Sequence, residues 1–241
     1  MTTDFEHARF NMIEQQIRPW GVLDDKVLGV MGRLPRERFV PDAYQGLAYA
    51  DIEIPIGEGP TQRMLPPKIV GRLLQALEIQ STDRVYEIGT GTGYITACLA
   101  ELGEAVHSVE IDTILADQAR ERLISEGTPG RIEIRALDAF GIKQTPSSSG
   151  VTETRDISAM SDTAPFGAIA VTGSIPTHTP LTLLREQLTD GGRLFAFVGQ
   201  APIMEAVLIT RLGGERYRQE SLFETCVPAL DNAPQPEAFV F

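Results

Sequence analysis

Residues 85–94, Val-Tyr-Glu-Ile-Gly-Thr-Gly-Thr-Gly-Tyr, are suited to binding a ligand through the backbone. An apolar run typical of a β-strand contains one acidic residue, Glu87, and glycines follow at alternate positions. Because glycine has no side chain, such a turn lets a ligand approach the main chain closely. A helical pattern begins immediately afterwards and offers unpaired N–H groups and the positive end of its dipole. The alternative interpretation is an ordinary tight turn between a strand and a helix.

The spacing of the glycines distinguishes two classes of cofactor. A dinucleotide-binding turn follows the pattern Gly-x-Gly-x-x-Gly, but here Tyr94 occupies the third glycine position. The pattern Glu-x-Gly-x-Gly-x-Gly is instead typical of methyltransferases that use S-adenosylmethionine (SAM) and release S-adenosylhomocysteine (SAH). We therefore expect SAM as the cofactor and rank a nicotinamide enzyme last. The residues of this stretch expected to bind SAM are Glu87, Gly89, Thr90, Gly91, Thr92 and Gly93.

The ends of the next two predicted strands supply the rest of the expected cofactor site. The first ends at Glu110, about 20 positions after Gly89, where a carboxylate can accept hydrogen bonds from both ribose hydroxyls. The second is followed by Asp138, where a methyltransferase usually places a side chain beside adenine. The neighbouring residues expected to contact the cofactor are Ile111 and Ala139.

Strands and helices alternate along most of the chain, which predicts an α/β fold. Such alternation favours a doubly wound, mostly parallel sheet of the Rossmann-like class I methyltransferase type, with helices on both faces. An antiparallel strand pair is expected to close it. The expected strands are 84–88, 105–110, 131–136, 166–172, 193–198, 203–211 and 215–227, the helices are 93–102, 113–125 and 179–188, and a turn is expected at 190–192.

The chain is expected to form one compact unit with two parts. Residues 1–80 predict a helical cap with a loop at 59–67, called the substrate loop below, that could reach over the cofactor, and residues 81–241 predict the SAM-binding core. The helices expected in the cap are 5–18, ending at Pro19, then 24–34 and 66–77, with an extended segment at 51–60. Within the core, residues 141–165 are polar and nearly free of aromatic residues, which predicts a mobile surface insertion. A binding or regulatory role for that insertion is the alternative.

Composition and charge narrow the function further. The 241 residues carry a formal net charge of −12, which disfavours binding to nucleic acid. No apolar run is long enough to cross a membrane, and no signal peptide is evident. Cys98 and Cys226 form no metal or redox motif, which fits a reducing cytoplasm. The three histidines lack zinc-ligand spacing, so no metal site is expected.

Several stretches together resemble the protein-L-isoaspartate O-methyltransferase family. They are Met12–Pro19, Pro35–Pro41, Tyr49–Gly57, Glu87–Tyr94, Phe166–Thr172 and the turn that begins at Asp190. The resemblance covers most of the chain apart from the insertion. It implies an enzyme that uses SAM to methyl-esterify the abnormal carboxylate of L-isoaspartyl residues in damaged proteins and peptides. The ester then collapses to a succinimide, which can reopen to normal aspartate.

The substrate loop departs from the family's usual sequence. The family normally has Gly-Gln-Thr-Ile-Ser before a proline, whereas here Arg63 occupies the serine position when the loops are aligned on Gly59. When they are aligned backward from Pro67, the loop is instead about two residues longer than the family's. Arg63 is interpreted either as a partner for a substrate carboxylate or as a solvated loop residue. The catalytic candidates on this loop are Thr61, Gln62 and Arg63, and the candidate substrate contacts are Ile56, Thr172 and Gly173.

Three functions remain open at this point. The first is an isoaspartate-repair methyltransferase, and the second is a family member that methylates another acceptor, such as a small-molecule carboxylate. The third is a non-catalytic module that binds SAM and regulates a partner. A carboxylate acceptor is already ionised at neutral pH and needs no general base. The absence of a conspicuous His or Lys from these motifs is consistent with such an acceptor.

Overall fold

The computed structural model describes residues 4–147, 150–155 and 163–236, and between 142 and 155 it describes the backbone. The helices are α1 (Phe5–Met12), α2 (Asp25–Arg33), α3 (Pro67–Leu77), α4 (Tyr94–Leu102), α5 (Thr113–Ser125) and α6 (Thr179–Glu186). The strands are β1 (Ile54–Pro55), β2 (Arg63–Met64), β3 (Arg84–Ile88), β4 (Ala105–Glu110), β5 (Arg131–Ala136), β6 (Ile142–Ser147), β7 (Gly150–Arg155), β8 (Phe166–Ile175), β9 (Leu188–Gln200), β10 (Ile203–Gly213) and β11 (Arg216–Thr225).

The main sheet has seven strands in the order β11-β10-β9-β8-β3-β4-β5. The five strands from β9 to β5 in that order pair in parallel, and β10 and β11 extend the sheet as an antiparallel pair. The chain enters at β3, winds outward through β4 and β5, and returns to the other side of β3 as β8. The predicted doubly wound α/β fold with a closing antiparallel pair is confirmed.

The inner parallel strands β3, β4, β8 and β9 contribute side chains to two apolar layers, because side chains along a strand point to opposite faces. On β3, Val85 belongs to the layer shared with α3, α4 and α5, whereas Tyr86 and Ile88 belong to the layer shared with α6. The apolar runs in β8 and β9 follow from burial on both faces of the sheet. Cys98 of α4 is fully buried in the first layer.

The N-terminal residues pack on the first layer rather than standing apart from it. Buried side chains of α1, α2 and α3 share one continuous apolar cluster with the sheet. A polar network adds to this contact: Arg9 Nε donates to the Tyr49 hydroxyl at 2.8 Å, and that hydroxyl donates to Glu37. Within the described residues, no helix is both long and apolar enough to span a membrane, and no cluster of three acidic, His or Cys side chains is arranged to hold a metal ion.

Two details of the predicted elements differ from the structure. The segment 5–18 is not one α-helix: α1 ends at Met12, and a π-helical turn and a 3₁₀ turn carry the chain to Trp20. Proline fits there because the first turn of a helix needs no N–H donor. The turn expected at 190–192 is a bulge inside β9, where the register jumps between Leu188 and Arg193.

The insertion at 141–165 contains a regular hairpin. The backbones of β6 and β7 pair antiparallel, from Ile142 with Arg155 to Ser147 with Gly150, as a ribbon separate from the main sheet. Main-chain hydrogen bonds form a hairpin without an apolar face, so the polar composition does not signal it. Residues 148–149 and 156–162 lie outside the described residues, and the expected mobility of the insertion stays a prediction.

The packing of α3 gives a test of the fold. Leu73 is fully buried, so Leu73→Ala should lower the free energy of unfolding by about 2–5 kcal/mol through lost burial and the cavity left behind. Urea unfolding followed by circular dichroism measures this change. Ile124→Ala on α5 is the matched control, because that side chain is 80% exposed and its loss should change stability little. Equal effects of the two substitutions would contradict the packing described.

Candidate functional site

The glycine turn lies where the sheet reverses its winding direction, between β3 and β8. The Thr172 hydroxyl of β8 donates a shared hydrogen bond to the carbonyl oxygens of Ile88 at 2.9 Å and Gly89 at 2.7 Å. A Cβ at position 89 would collide with this hydroxyl, and the φ of Gly89 is +95°, so glycine is required there. Ligands of doubly wound sheets bind in the crevice that opens at such a point.

Glu110, at the end of β4, closes one side of the turn. Its Oε2 accepts the Gly91 N–H at 2.8 Å, and its Oε1 accepts the Asp112 N–H at 3.1 Å. The residue is 7% exposed, and burial raises the pKa of its carboxyl group. Each oxygen of an ionised carboxylate has a second lone pair. The carboxylate therefore fixes the turn and retains acceptor capacity toward the cleft.

Glu87 lies beneath the turn and does not line the cleft. It is fully buried, and its Oε2 accepts hydrogen bonds from the hydroxyls of Thr96 at 2.6 Å and Ser108 at 2.7 Å. Burial raises the pKa of Glu87 to about 8. The structure thus assigns this acid to the support of α4 and β4 behind the turn, rather than to the surface that a ligand would contact.

The other expected turn residues also contribute mainly backbone. The Thr90 and Ser108 hydroxyls lie 2.6 Å apart, and the Thr92 hydroxyl lies 3.9 Å from the sulfur of Met64, so both threonine side chains are buried away from the cleft. Gly93 has a φ of +87° and directly precedes α4. These residues shape the turn, while the half-buried Gly89 and Gly91 line the cleft.

A second wall of the cleft follows β4 and β5. Asp138 Oδ1 accepts the Phe140 N–H at 2.8 Å, and its Oδ2 accepts a hydrogen bond from the Asn232 side chain at 2.8 Å. Ile111 keeps 39% of its surface exposed although it lines a cleft. An exposed apolar side chain at this position offers a flat ring a surface to pack against.

The C-terminal segment 228–231 forms a wall that the sequence did not reveal. It runs beside the end of β8, where the Ser174 N–H donates to the Pro228 carbonyl at 2.8 Å and the Leu230 N–H donates to the Ser174 carbonyl at 2.9 Å. A Cβ on Gly173 would lie 2.9 Å from Leu230 Cδ2, so the small residue admits this segment. The segment carries no motif, and no local signal could have placed it here.

The substrate loop covers the cleft from the side of the N-terminal region. β1 and β2 form its antiparallel base, with Pro55 paired to Arg63. The Thr61 hydroxyl donates to Asp231 at 3.1 Å. Arg63 Nε lies 3.3 Å from the Pro60 carbonyl and 4.0 Å from Glu53, and its side chain is 39% exposed. The loop therefore faces the glycine turn and presents a cation at its rim.

Most of the expected site residues meet in this one cleft. They are Ile56, Thr61, Gln62, Arg63, Gly89, Gly91, Glu110, Ile111, Asp138, Ala139, Thr172 and Gly173. Thr90 and Thr92 line a smaller adjoining cavity together with Arg63, whereas Glu87 and Gly93 line neither space. The cleft-lining residues that the sequence analysis did not expect are Ile88, Val109, Leu115, Leu137, Phe140, Pro228, Ala229, Leu230 and Asp231.

Comparison with known sequences identifies the family. A sequence model described as "Protein-L-isoaspartate(D-aspartate) O-methyltransferase (PCMT)" matches residues 8–233. The chain belongs to this family. The isoaspartate O-methyltransferase of Methanoculleus marisnigri is 41% identical over 86% of this chain and 84% of its own. That of Syntrophus aciditrophicus is 38% identical over 88% of this chain and 87% of its own.

Solved structures support the same fold. An isoaspartate O-methyltransferase from Plasmodium falciparum, solved in complex with SAH, superposes with a TM-score of 0.70 at 18% identity. The alignment covers 95% of this chain and 99% of that protein. At this identity the likeness supports the fold alone. As a member of the isoaspartate O-methyltransferase family, this chain is a SAM-dependent methyltransferase, and the expectation of that family is confirmed.

The burial of Glu87 gives a pH-dependent test. Because its folded pKa of about 8 is above the unfolded value, native stability should fall as pH rises from the ordinary glutamate range through 8. A glutamine at position 87 stays neutral at every pH. The free energy of unfolding of Glu87→Gln should therefore rise relative to that of the native protein across this window, by on the order of 2–4 kcal/mol at pH 9. Urea unfolding at pH 5, 7 and 9 measures the difference.

The exposed Glu104→Gln is the control, since that side chain lies in solvent and its substitution should change the stability little. A stability difference between Glu87→Gln and native protein that is the same at all three pH values would show that the buried carboxyl ionises normally.

Proposed function

We propose that this chain transfers the methyl group of SAM to the carboxylate of L-isoaspartyl residues in damaged proteins or peptides. Its relatives at 41% and 38% identity carry the name of that activity. The observation that supports the proposal best is the position of the substrate loop against the glycine turn. A Cβ on Gly91 would lie only 3.2 Å from Ile56 Cδ1, so the loop and the proposed donor site form one space.

The cleft fits SAM in shape and chemistry. SAM supplies a methyl group bound to a positively charged sulfur. An oxygen nucleophile takes the methyl group, and SAH is the leaving group. The peptide groups of Gly89 and Gly91 offer bare backbone, and Glu110 offers carboxylate lone pairs for the ribose hydroxyls. Ile111 offers an exposed apolar surface for the adenine ring, with Ala139 and Asp138 at its edge. Glu87, Thr90, Thr92 and Gly93 support this site from behind.

The acceptor side needs a means of orienting the acceptor rather than a base. A carboxylate is ionised at neutral pH, so its oxygen forms the new bond to carbon while the carbon–sulfur bond breaks, and no proton moves. We assign Arg63 to orient the acceptor carboxylate through a charge-assisted hydrogen bond. Thr61 and Ile56 line the cleft on the same side as Arg63. Thr172 and Gly173, on β8, line it from the side of the sheet.

An assay with a synthetic L-isoaspartyl peptide tests this function. The expected result is SAM-dependent incorporation of methyl groups that are released as methanol in base, because the product is an ester. The matched control is the same peptide with normal aspartate, which should not be methylated. If calorimetry shows bound SAM but millimolar isoaspartyl peptide gives no turnover, the proposed acceptor is wrong.

A second candidate is methylation of another acceptor, such as a small-molecule carboxylate. The presence of Arg63 where the family has serine favours it, because an exposed guanidinium at the rim can bind a second anionic group. It predicts turnover in a screen of small carboxylates and none with the isoaspartyl peptide. Arg63→Ser should then increase activity on the peptide if the guanidinium is what excludes it.

The donor site has its own test. Gly91→Val should abolish SAM binding, because a branched side chain would fill the space between the turn and the loop at a position where φ is +53°. Isothermal titration calorimetry with SAM measures the affinity. Gly127→Val is the matched control, since that glycine has a φ of +61° but no neighbour within 4 Å of a Cβ. Retained SAM affinity in Gly91→Val would place the donor elsewhere.

We also propose that the enzyme works in the cytoplasm. The buried Cys98 and the exposed Cys226 are both free thiols, as a reducing compartment allows. Fractionation of cells expressing the protein, with a blot for each compartment, tests this assignment.

A further inference from the structure

The tip of the substrate loop is built around the side chain of Gln62. Its Oε1 accepts the Gly59 N–H at 2.9 Å, and its backbone carbonyl accepts the Ile56 N–H at 3.0 Å. A Cβ on Gly57 would collide with the Gln62 amide, and one on Gly59 would lie 3.2 Å from its carbon. The two glycines therefore leave room for the amide to fold back into the loop.

The other end of the same amide crosses the cleft. Gln62 Nε2 donates to Asp112 Oδ2 at 2.7 Å, a contact between residues 50 positions apart. Asp112 follows Glu110 and Ile111 directly, so the loop is attached to the wall that carries the proposed ribose and adenine contacts. Both polar ends of the Gln62 side chain are thus occupied within the protein, which leaves it poorly placed to hold an acceptor itself.

Asp112 is suited to serve as a fixed anchor for the loop. Its Oδ1 accepts the Ile114 N–H at 2.8 Å and the Leu115 N–H at 3.1 Å, as the N-cap of α5. The Leu115 N–H and, to a smaller degree, the Gln62 amide lower the pKa of Asp112, so the carboxylate stays ionised. The hydrogen bond from Gln62 is therefore charge-assisted, and such bonds are stronger than neutral ones.

A second contact holds the opposite side of the loop tip. Thr61 donates to Asp231, which belongs to the C-terminal wall of the cleft. Adjacent loop residues thus reach two walls of the cleft at once. The loop tip is therefore held against both walls of the cleft.

We infer that Gln62 and Asp112 are positioning residues that hold the substrate loop closed over bound SAM and thereby set the rate of its exchange. The inference rests on the proposed function for the identity of the ligand. The contact depends on an amide at position 62, because an aliphatic side chain there could not donate a hydrogen bond to Asp112.

The rate at which SAH leaves the protein tests the inference. Gln62→Glu places two carboxylates in contact and should raise the SAH dissociation rate about tenfold, the loss expected for one charge-assisted hydrogen bond. Asp112→Asn keeps an oxygen to cap α5 but lets the side-chain NH₂ meet that of Gln62, so it should raise the rate similarly. Rapid filtration of labelled SAH chased with unlabelled SAH measures each rate.

A double variant shows whether Gln62 and Asp112 act through one shared contact or through two independent ones. The double variant Gln62→Leu with Asp112→Asn should dissociate SAH no faster than the faster of the two single variants Gln62→Leu and Asp112→Asn, because both changes break the same bond. Fully additive effects, or unchanged rates in every variant, would overturn the inference. Gln219→Glu, on the exposed face of β11, is the matched control and should leave the rate unaltered.

Two further measurements make the result decisive. The thermal midpoint of each ligand-free variant should stay close to the native value, which separates loop closure from a general loss of structure. Calorimetry on the native protein checks that SAM binds at all. Failure to bind SAM would overturn the proposed cofactor site, whereas normal binding with unaltered exchange in Gln62→Glu would overturn only the role of the loop tip.

Discussion

A single hydroxyl group sets the shape of the cleft. Thr172 of β8 bonds to the carbonyl groups that end β3, and this contact requires a residue without a Cβ at position 89. The two strands meet there because the sheet winds outward from β3 in both directions. The bend of bare backbone and the crevice beside it are therefore consequences of one packing constraint. Glu110 then fixes the far side of the bend through the Gly91 N–H.

A buried cation connects this bend to the substrate loop. Arg36 is fully buried, and it donates to the carbonyl groups of Ala48 at 2.8 Å and Leu65 at 2.7 Å, which lie on either side of the loop. Its guanidinium lies 4.8 Å from the centre of the Tyr94 ring, at the start of α4. Burial lowers the pKa of Arg36, which reflects the cost of removing a charge from water. The hydrogen bonds to the two carbonyl groups and the contact with the Tyr94 ring offset this cost, and they join the ends of the loop to the helix behind the glycine turn.

Local patterns made the core of the fold predictable. The structure has the bounds that the sequence indicated for the strands 105–110 and 131–136 and for the helix 113–125. The spacing of apolar residues and the capping residues set these bounds, and both are signals between residues a few positions apart. The hairpin at 142–155 was not anticipated, because its pairing depends on main-chain hydrogen bonds rather than on apolar side chains. The motif places Glu87 among the expected cofactor contacts, yet it cannot show that the carboxyl lies beneath the turn rather than in the cleft.

The sequence by itself determined the alternation of strands and helices, the glycine turn and the acidic residues at two strand ends, because each depends on neighbours close in the chain. The tertiary structure alone decided which side chains close the cleft. Gln62 meets Asp112 across 50 positions and Thr61 meets Asp231 across 170, and the segment 228–231 becomes a wall although it carries no motif. Such contacts form only when the whole sheet has brought distant segments together, so no local pattern could specify them.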